Sequence, residues 1–285
     1  MSEILIQDTT IAARDGYALA ATVFVPEGAP AGAVLINSAT AVPRKIYRGF
    51  AGYLASQGFA VVTYDYRGTG GSRPASLRGF KVRMRDWAAL DVSGAIDHMR
   101  MVWPTLPLGV VGHSFGGQAL GLAPNNSEIS RAFFVAAQAG YWRLFHFPEK
   151  YRVYAMLRLI GSPVARLLGY MPGRLGIGED LPRDVFLEWT SWVMKPRYFF
   201  DDVTLAALEN FPNYRGALRA LCLTDDPWAT PPAVDLLCAG FTNAQVERRD
   251  VRPADVGAAR IGHFGFFRPE HRDTLWRDAA EWLGS

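Results

Sequence analysis

The sequence is poor in the features that announce several classes of protein. Its 285 residues include two cysteines. Cys222 lies in an apolar strand-like run and Cys238 in an apolar helix-like run, where small buried hydrophobes belong. Neither has metal-ligand spacing, and there is no H-E-x-x-H or clustered His/Cys pattern, so no metal site is expected. Thirty Lys and Arg stand against 27 Asp and Glu. The resulting charge of +3 comes without a basic run, so a nucleic-acid partner is not expected. No uninterrupted apolar span approaches the ~18 residues of a membrane helix. The start, Met-Ser-Glu-Ile-Leu-Ile-Gln-Asp, lacks the charged and apolar regions of an export signal. With free thiols, these absences point to the cytoplasm and to no membrane span. Repeats and low-complexity linkers are also missing, so one large α/β core with an insertion is the simplest organisation.

What is present reads as strands alternating with helices. Ile4 to Ala13 and Tyr17 to Val25 alternate around Arg14-Asp15-Gly16, whose Asp-Gly pair predicts an antiparallel hairpin. Residues 33–37, 59–64, 107–112 and 131–137 are short continuous apolar runs, which suit strands buried on both faces. Helical spacing separates them, at Ile46, Phe50, Tyr53 and Leu54 and again from Ala88 to Met99. Asp65-Tyr-Arg-Gly-Thr-Gly-Gly-Ser72 is glycine-rich but fits neither G-x-G-x-x-G nor a P-loop, so it reads as a structural turn pinned by Asp65 and Arg67. A mostly parallel sheet with helices on both faces is expected, preceded by the antiparallel pair.

From Gly140 to Asp202 the pattern changes to aromatics broken by prolines, without strand-like alternation. Several short helices forming an inserted cap over 140–202 are expected, leaving 1–139 and 203–285 as the core. Most of the aromatics should fill the cap's own interior, and a minority should line a pocket.

One junction carries chemistry. In Gly112-His-Ser-Phe-Gly116 an apolar strand breaks into a helix. A serine at such a bend is forced into a strained conformation, and its neighbours two before and two after must be small. Ser114 would thereby be lifted above the sheet as a nucleophile, with helix-start N–H groups near a developing oxyanion. Beyond the C-terminal ends of later strands lie the pair Asp225-Asp226 and, further on, His263. A serine hydroxyl needs a base near pH 7, imidazole suits, and a carboxylate fixes its tautomer. His98, His113 and His271 are expected in structural or solvated roles, and His146 packed or at the surface of the cap.

Taken together, Gly112-His-Ser-Phe-Gly116, the turn 65–72, the acid loop Asp226-Pro-Trp-Ala-Thr-Pro231 and Gly262-His263-Phe264 resemble the α/β-hydrolase superfamily, closest to bacterial serine hydrolases of the esterase and serine-aminopeptidase-like branch. The resemblance spans most of the chain. It implies a Ser114–His263–Asp226 triad, with Asp226 preferred to Asp225 because it precedes proline. It implies oxyanion donors at Phe115 and, after Asn37, at Ala39 with Thr40 as competitor; here Asn37-Ser38 replaces the His-Gly of many relatives. It further implies acyl transfer to water from a small-molecule substrate, through an acyl-enzyme and without cofactor, and the aromatic-rich cap favours a carboxylic ester or thioester with an apolar portion. An aminopeptidase or acyltransferase on the same triad is the alternative, the former needing acids such as Glu149, Glu179 or Glu188 in the cap. A non-catalytic scaffold that binds a ligand or partner is a third reading, and a homo-oligomer is compatible with all three.

Overall fold

The computed structural model describes residues 4–285. It opens with β1 (Ile4–Ala12) and β2 (Ala18–Pro26), paired antiparallel with Ile4 opposite Pro26 and Ala12 opposite Ala18. The chain then alternates through β3 (Gly32–Asn37), α1 (Arg48–Ser56) and β4 (Phe59–Tyr64). A π-helical stretch, Trp87–Val92, leads into α2 (Ser93–Val102), followed by β5 (Leu108–His113), α3 (Phe115–Leu122) and β6 (Arg131–Val135).

Between β6 and the next sheet strand lies a helical insertion. It holds α4 (Glu149–Tyr154), a π-helical stretch Ala155–Gly161, α5 (Ser162–Leu168) and α6 (Arg183–Val193). It also holds Tyr170–Met171 paired antiparallel with Leu181–Pro182, two residues each and too short to leave a trace of alternation in the sequence. The sheet then resumes with β7 (Ala217–Leu223), α7 (Pro231–Cys238) and β8 (Gln245–Val251), and the chain closes on α8 (Arg277–Gly284). No helix among the described residues is long and apolar enough to cross a membrane.

The eight strands form one sheet in the order β1-β2-β4-β3-β5-β6-β7-β8, parallel from β4 onward, as the continuous apolar runs predict. Every residue of β3, β4 and β5 is buried, because helices cover both faces. Register places the C-terminal strand ends side by side: Asn37 pairs with Gly112, His113 with Val135, and Val135 with Leu221. The loops that leave these ends therefore emerge together on one edge of the sheet.

The glycine-rich turn after β4 is fastened as expected. Asp65 accepts from Arg44 and Gly71 N–H groups at 2.7 and 2.9 Å. Arg67 donates through Nε to the wholly buried Asp91 at 2.6 Å and through both terminal nitrogens to Asp15 at 2.7 Å. Removing one partner of such a buried pair leaves an uncompensated charge. Arg67→Met should therefore lower the free energy of unfolding by about 3–5 kcal/mol, read as an earlier urea midpoint at unchanged slope.

Candidate active site

Ser114 sits at the β5–α3 junction with φ 52° and ψ −114°, a backbone region that L-residues avoid. The strain is held from both sides by close packing. A Cβ on Gly112 would stand 2.5 Å from the Gly117 Cα, and one on Gly116 would overlap the Asn37 carbonyl. Only glycine lets β3, β5 and α3 approach so closely, which is the steric origin of the pentapeptide. The N–H groups of Phe115 and Gly116 begin α3 and have no earlier turn to bond.

The acid and the imidazole meet at the ends of two later loops. Asp226 follows β7, is fully buried, and accepts from the N–H groups of Trp228 and Ala229 at 2.8 and 3.1 Å. Its Oδ2 lies 2.6 Å from His263 Nδ1. Burial pushes this carboxyl up, but the facing imidazole and the two amides outweigh it and hold it below the usual carboxylate range. An ionised Asp226 accepts only, so Nδ1 carries the proton and Nε2 is left free to accept one. His263 stands in a short helical turn, Gly262–Gly265, rather than in an open loop. Asp225 does not meet His263; its two oxygens accept from Ile261 and Gly262 N–H at 2.8 and 2.9 Å and so anchor that turn.

Ser114 and His263 open onto one cavity of about 670 Å³, shared with Ala39, Thr40, Trp228 and Phe264. No hydrogen bond joins Ser114 Oγ to His263 among the described residues; such bonds often tighten only when substrate is bound. The far wall comes from the insertion and includes Val153, Met156, Leu157 and Trp189. Of the insertion's aromatics, Trp189, Phe145 and Tyr198 reach the cavity, Trp192 and Phe199 are core, and Phe147 and Tyr151 are exposed. His146 is at the surface, while His271 is buried and His98 half-buried, none of them in the cavity.

Tyr47 and Trp228, which sequence reasoning passed over, organise this site together with His113, whose expected structural role is observed. Ala39 N–H donates to Tyr47 Oη at 2.9 Å, Tyr47 Oη lies 2.8 Å from His113 Nδ1, and His113 Nε2 lies 2.9 Å from the His263 carbonyl oxygen. A carbonyl can only accept, so His113 bears its proton on Nε2 and accepts a hydrogen bond from the Tyr47 hydroxyl at Nδ1. The Ala39 amide is thus engaged, whereas Thr40, which lines the cavity, makes no backbone hydrogen bond through its N–H among the described residues. Trp228 packs edge-on to His263 at 4.8 Å between ring centres and donates its indole N–H to Glu149 at 2.9 Å. The only sequence signal for these roles was position: His113 inside the serine motif, Trp228 inside the acid loop and Tyr47 after the oxyanion loop.

Burial, with His263 beside it, pushes His113 down from 6.5 to about 3. The folded chain therefore resists a proton that the unfolded chain accepts. The stability this provides is complete above pH 6.5 and is lost as pH falls from there towards 3. His113→Gln should flatten the fall of the urea midpoint over that interval by the equivalent of about one proton.

A sequence model of the alpha/beta hydrolase family matches residues 23–272. Among solved structures, an esterase from Exiguobacterium antarcticum superposes with a TM-score of 0.63 at 14% identity, covering 98% of this chain and 100% of its own. A highly thermostable carboxyl esterase from Bacillus coagulans gives 0.62 at 14% identity, over 98% and 97%. An esterase from Pyrococcus furiosus gives 0.61 at 14%, over 99% and 92%. At such identities the likeness is one of fold. No curated protein matches the sequence significantly.

Proposed function

Because the chain belongs to the alpha/beta hydrolase family, we propose that it is a serine hydrolase cleaving carboxylic esters or thioesters through an acyl-enzyme. The observation that carries this reading is the 2.6 Å contact between Asp226 and His263 at the edge of the cavity onto which the strained Ser114 opens. Ser114 Oγ attacks the acyl carbonyl as His263 Nε2 takes its proton, and Asp226 stabilises the imidazolium. The carbonyl oxygen becomes an oxyanion held by the Phe115 N–H and a second amide from the loop after β3. With Ala39 N–H donated to Tyr47, Thr40 is the better-placed second donor. His263 returns the proton to the departing alkoxide or thiolate. Water, deprotonated by the same nitrogen, then releases the acid and restores Ser114.

Residues 140–202 act as the cap, and their apolar side chains on the cavity wall fit an acyl group with an apolar portion. Two of the carboxylates that an aminopeptidase would need to hold a peptide's N-terminal ammonium do face the cavity, but both are engaged. Glu149 pairs with Arg152 at 2.9 Å and accepts from Trp228, and Glu179 accepts from Gly70 N–H at 2.7 Å. Glu188 is bound to Arg85 away from the cavity. An ester is therefore preferred to an aminoacyl substrate. The two free thiols, each pushed up to about 12 chiefly by burial, fit a reducing cytoplasm.

Steady-state turnover of p-nitrophenyl esters from acetate to octanoate tests this. Ser114→Ala should abolish activity, and Asp226→Asn should lower kcat by about 10⁴-fold by imposing the wrong imidazole tautomer. Asp225→Asn should act far more mildly, through the His263 turn. Full activity in Ser114→Ala, or a larger loss in Asp225→Asn than in Asp226→Asn, would overturn the assignment.

A further inference from the structure

The run from α4 through the π-helical stretch to α5 has two dissimilar faces. Its inner face supplies Val153, Met156 and Leu157 to the cavity wall. Its outer face exposes large apolar side chains: Leu167 is 85% accessible, Leu159 60% and Tyr151 56%, with Phe147 at 77% just before the run. Singly exposed hydrophobes need no explanation, but these recur in order along one element. Tyr151, Leu159 and Leu167 are spaced by eight residues, and so are Lys150, Arg158 and Arg166 beside them. Eight residues overshoot two α-helical turns, and the wider π turns at Ala155–Gly161 bring such a repeat nearer to one line.

The charge here is one-sided. Residues 143–174 hold six Arg or Lys and one acid, Glu149, an excess larger than the net +3 of the whole chain. Among the described residues only Arg152 of those six is in an ion pair, with Glu149, and its side chain is still 76% exposed. A second copy of the chain is a poor occupant, because a two-fold contact would set Arg158 and Arg166 against their own images. Leucines interleaved with unpaired arginines on an outward helix instead match an interface between water and anionic headgroups. There the apolar side chains enter the acyl boundary and the guanidinium groups reach the phosphates. The surface also adjoins the cavity mouth. Arg152 belongs to both, and Ile46 and Phe264 line the cavity while remaining 47% and 43% exposed.

We propose that the outer face of residues 147–167 docks on an anionic phospholipid surface, setting the cavity mouth against the membrane so that apolar esters enter from the lipid. The entry of esters rests on the hydrolase reading, whereas the docking itself does not and is read out by binding rather than turnover.

Flotation of the full chain with vesicles of phosphatidylglycerol and phosphatidylcholine, against phosphatidylcholine alone, tests it. The protein should float with the anionic vesicles, largely remain behind with the neutral ones, and be released as salt rises. Arg158→Ala with Arg166→Ala should weaken partition by about 30-fold, and Leu159→Ser with Leu167→Ser by about tenfold or more. Both double variants should keep the wild-type melting curve and turnover of soluble p-nitrophenyl acetate. The proposal fails if the wild type does not float with anionic vesicles, as an acidic protein partner would predict. It fails equally if both variants float as well as wild type, or if light scattering shows a dimer that the leucine variant dissociates.

Discussion

A neutral imidazole buried at the end of β5 holds the two halves of the site in register. His113 accepts a hydrogen bond from the Tyr47 hydroxyl on one side and donates one to the His263 carbonyl on the other, and Tyr47 in turn accepts one from the Ala39 amide. The loop after β3, the strand that presents Ser114 and the turn that carries His263 are thereby joined by one directed chain of hydrogen bonds. Its direction is forced, because one end is a carbonyl and the other an amide. A charged His113 could place its second proton only by turning the Tyr47 hydroxyl away, so the dry environment that lowers its basicity also preserves the chain. Parallel register supplies the starting alignment of the strand ends, and the buried network converts it into fixed distances between loops.

Much of the fold was legible in the amino-acid order because it depends on local causes. β3, β4 and β5 read as continuous apolar runs since both of their faces are covered, and the Asp15-Gly16 turn marks the antiparallel hairpin of β1 and β2. The serine bend was legible for the same reason: its steric demand falls on Gly112 and Gly116, which lie within two residues of it. The short pair Tyr170–Met171 and Leu181–Pro182 was not legible, since two residues cannot display a period.

Contacts between distant segments were harder to read. Nothing in the order of residues tells that Tyr47 turns its hydroxyl towards Ala39, or that Asp225 serves the His263 turn while its neighbour meets the imidazole. Adjacent strand-end carboxylates point to opposite sides, and only the fold says which side holds the histidine. Trp228 shows the same limit. Its backbone touches Asp226, its ring walls His263 and its indole nitrogen reaches Glu149 in the insertion, so one side chain couples three regions far apart in sequence.

The insertion thus works at two levels, as the far wall of the cavity and as the outward face beside its mouth. The first of these matters only through the chemistry proposed for Ser114. The most direct measurement is mass spectrometry of protein quenched within one turnover of p-nitrophenyl octanoate and digested to peptides. The account predicts an octanoyl group on the peptide carrying Ser114 and on no other. Ester turnover with that peptide unmodified throughout, or acylation of a different side chain on the reaction pathway, would contradict it.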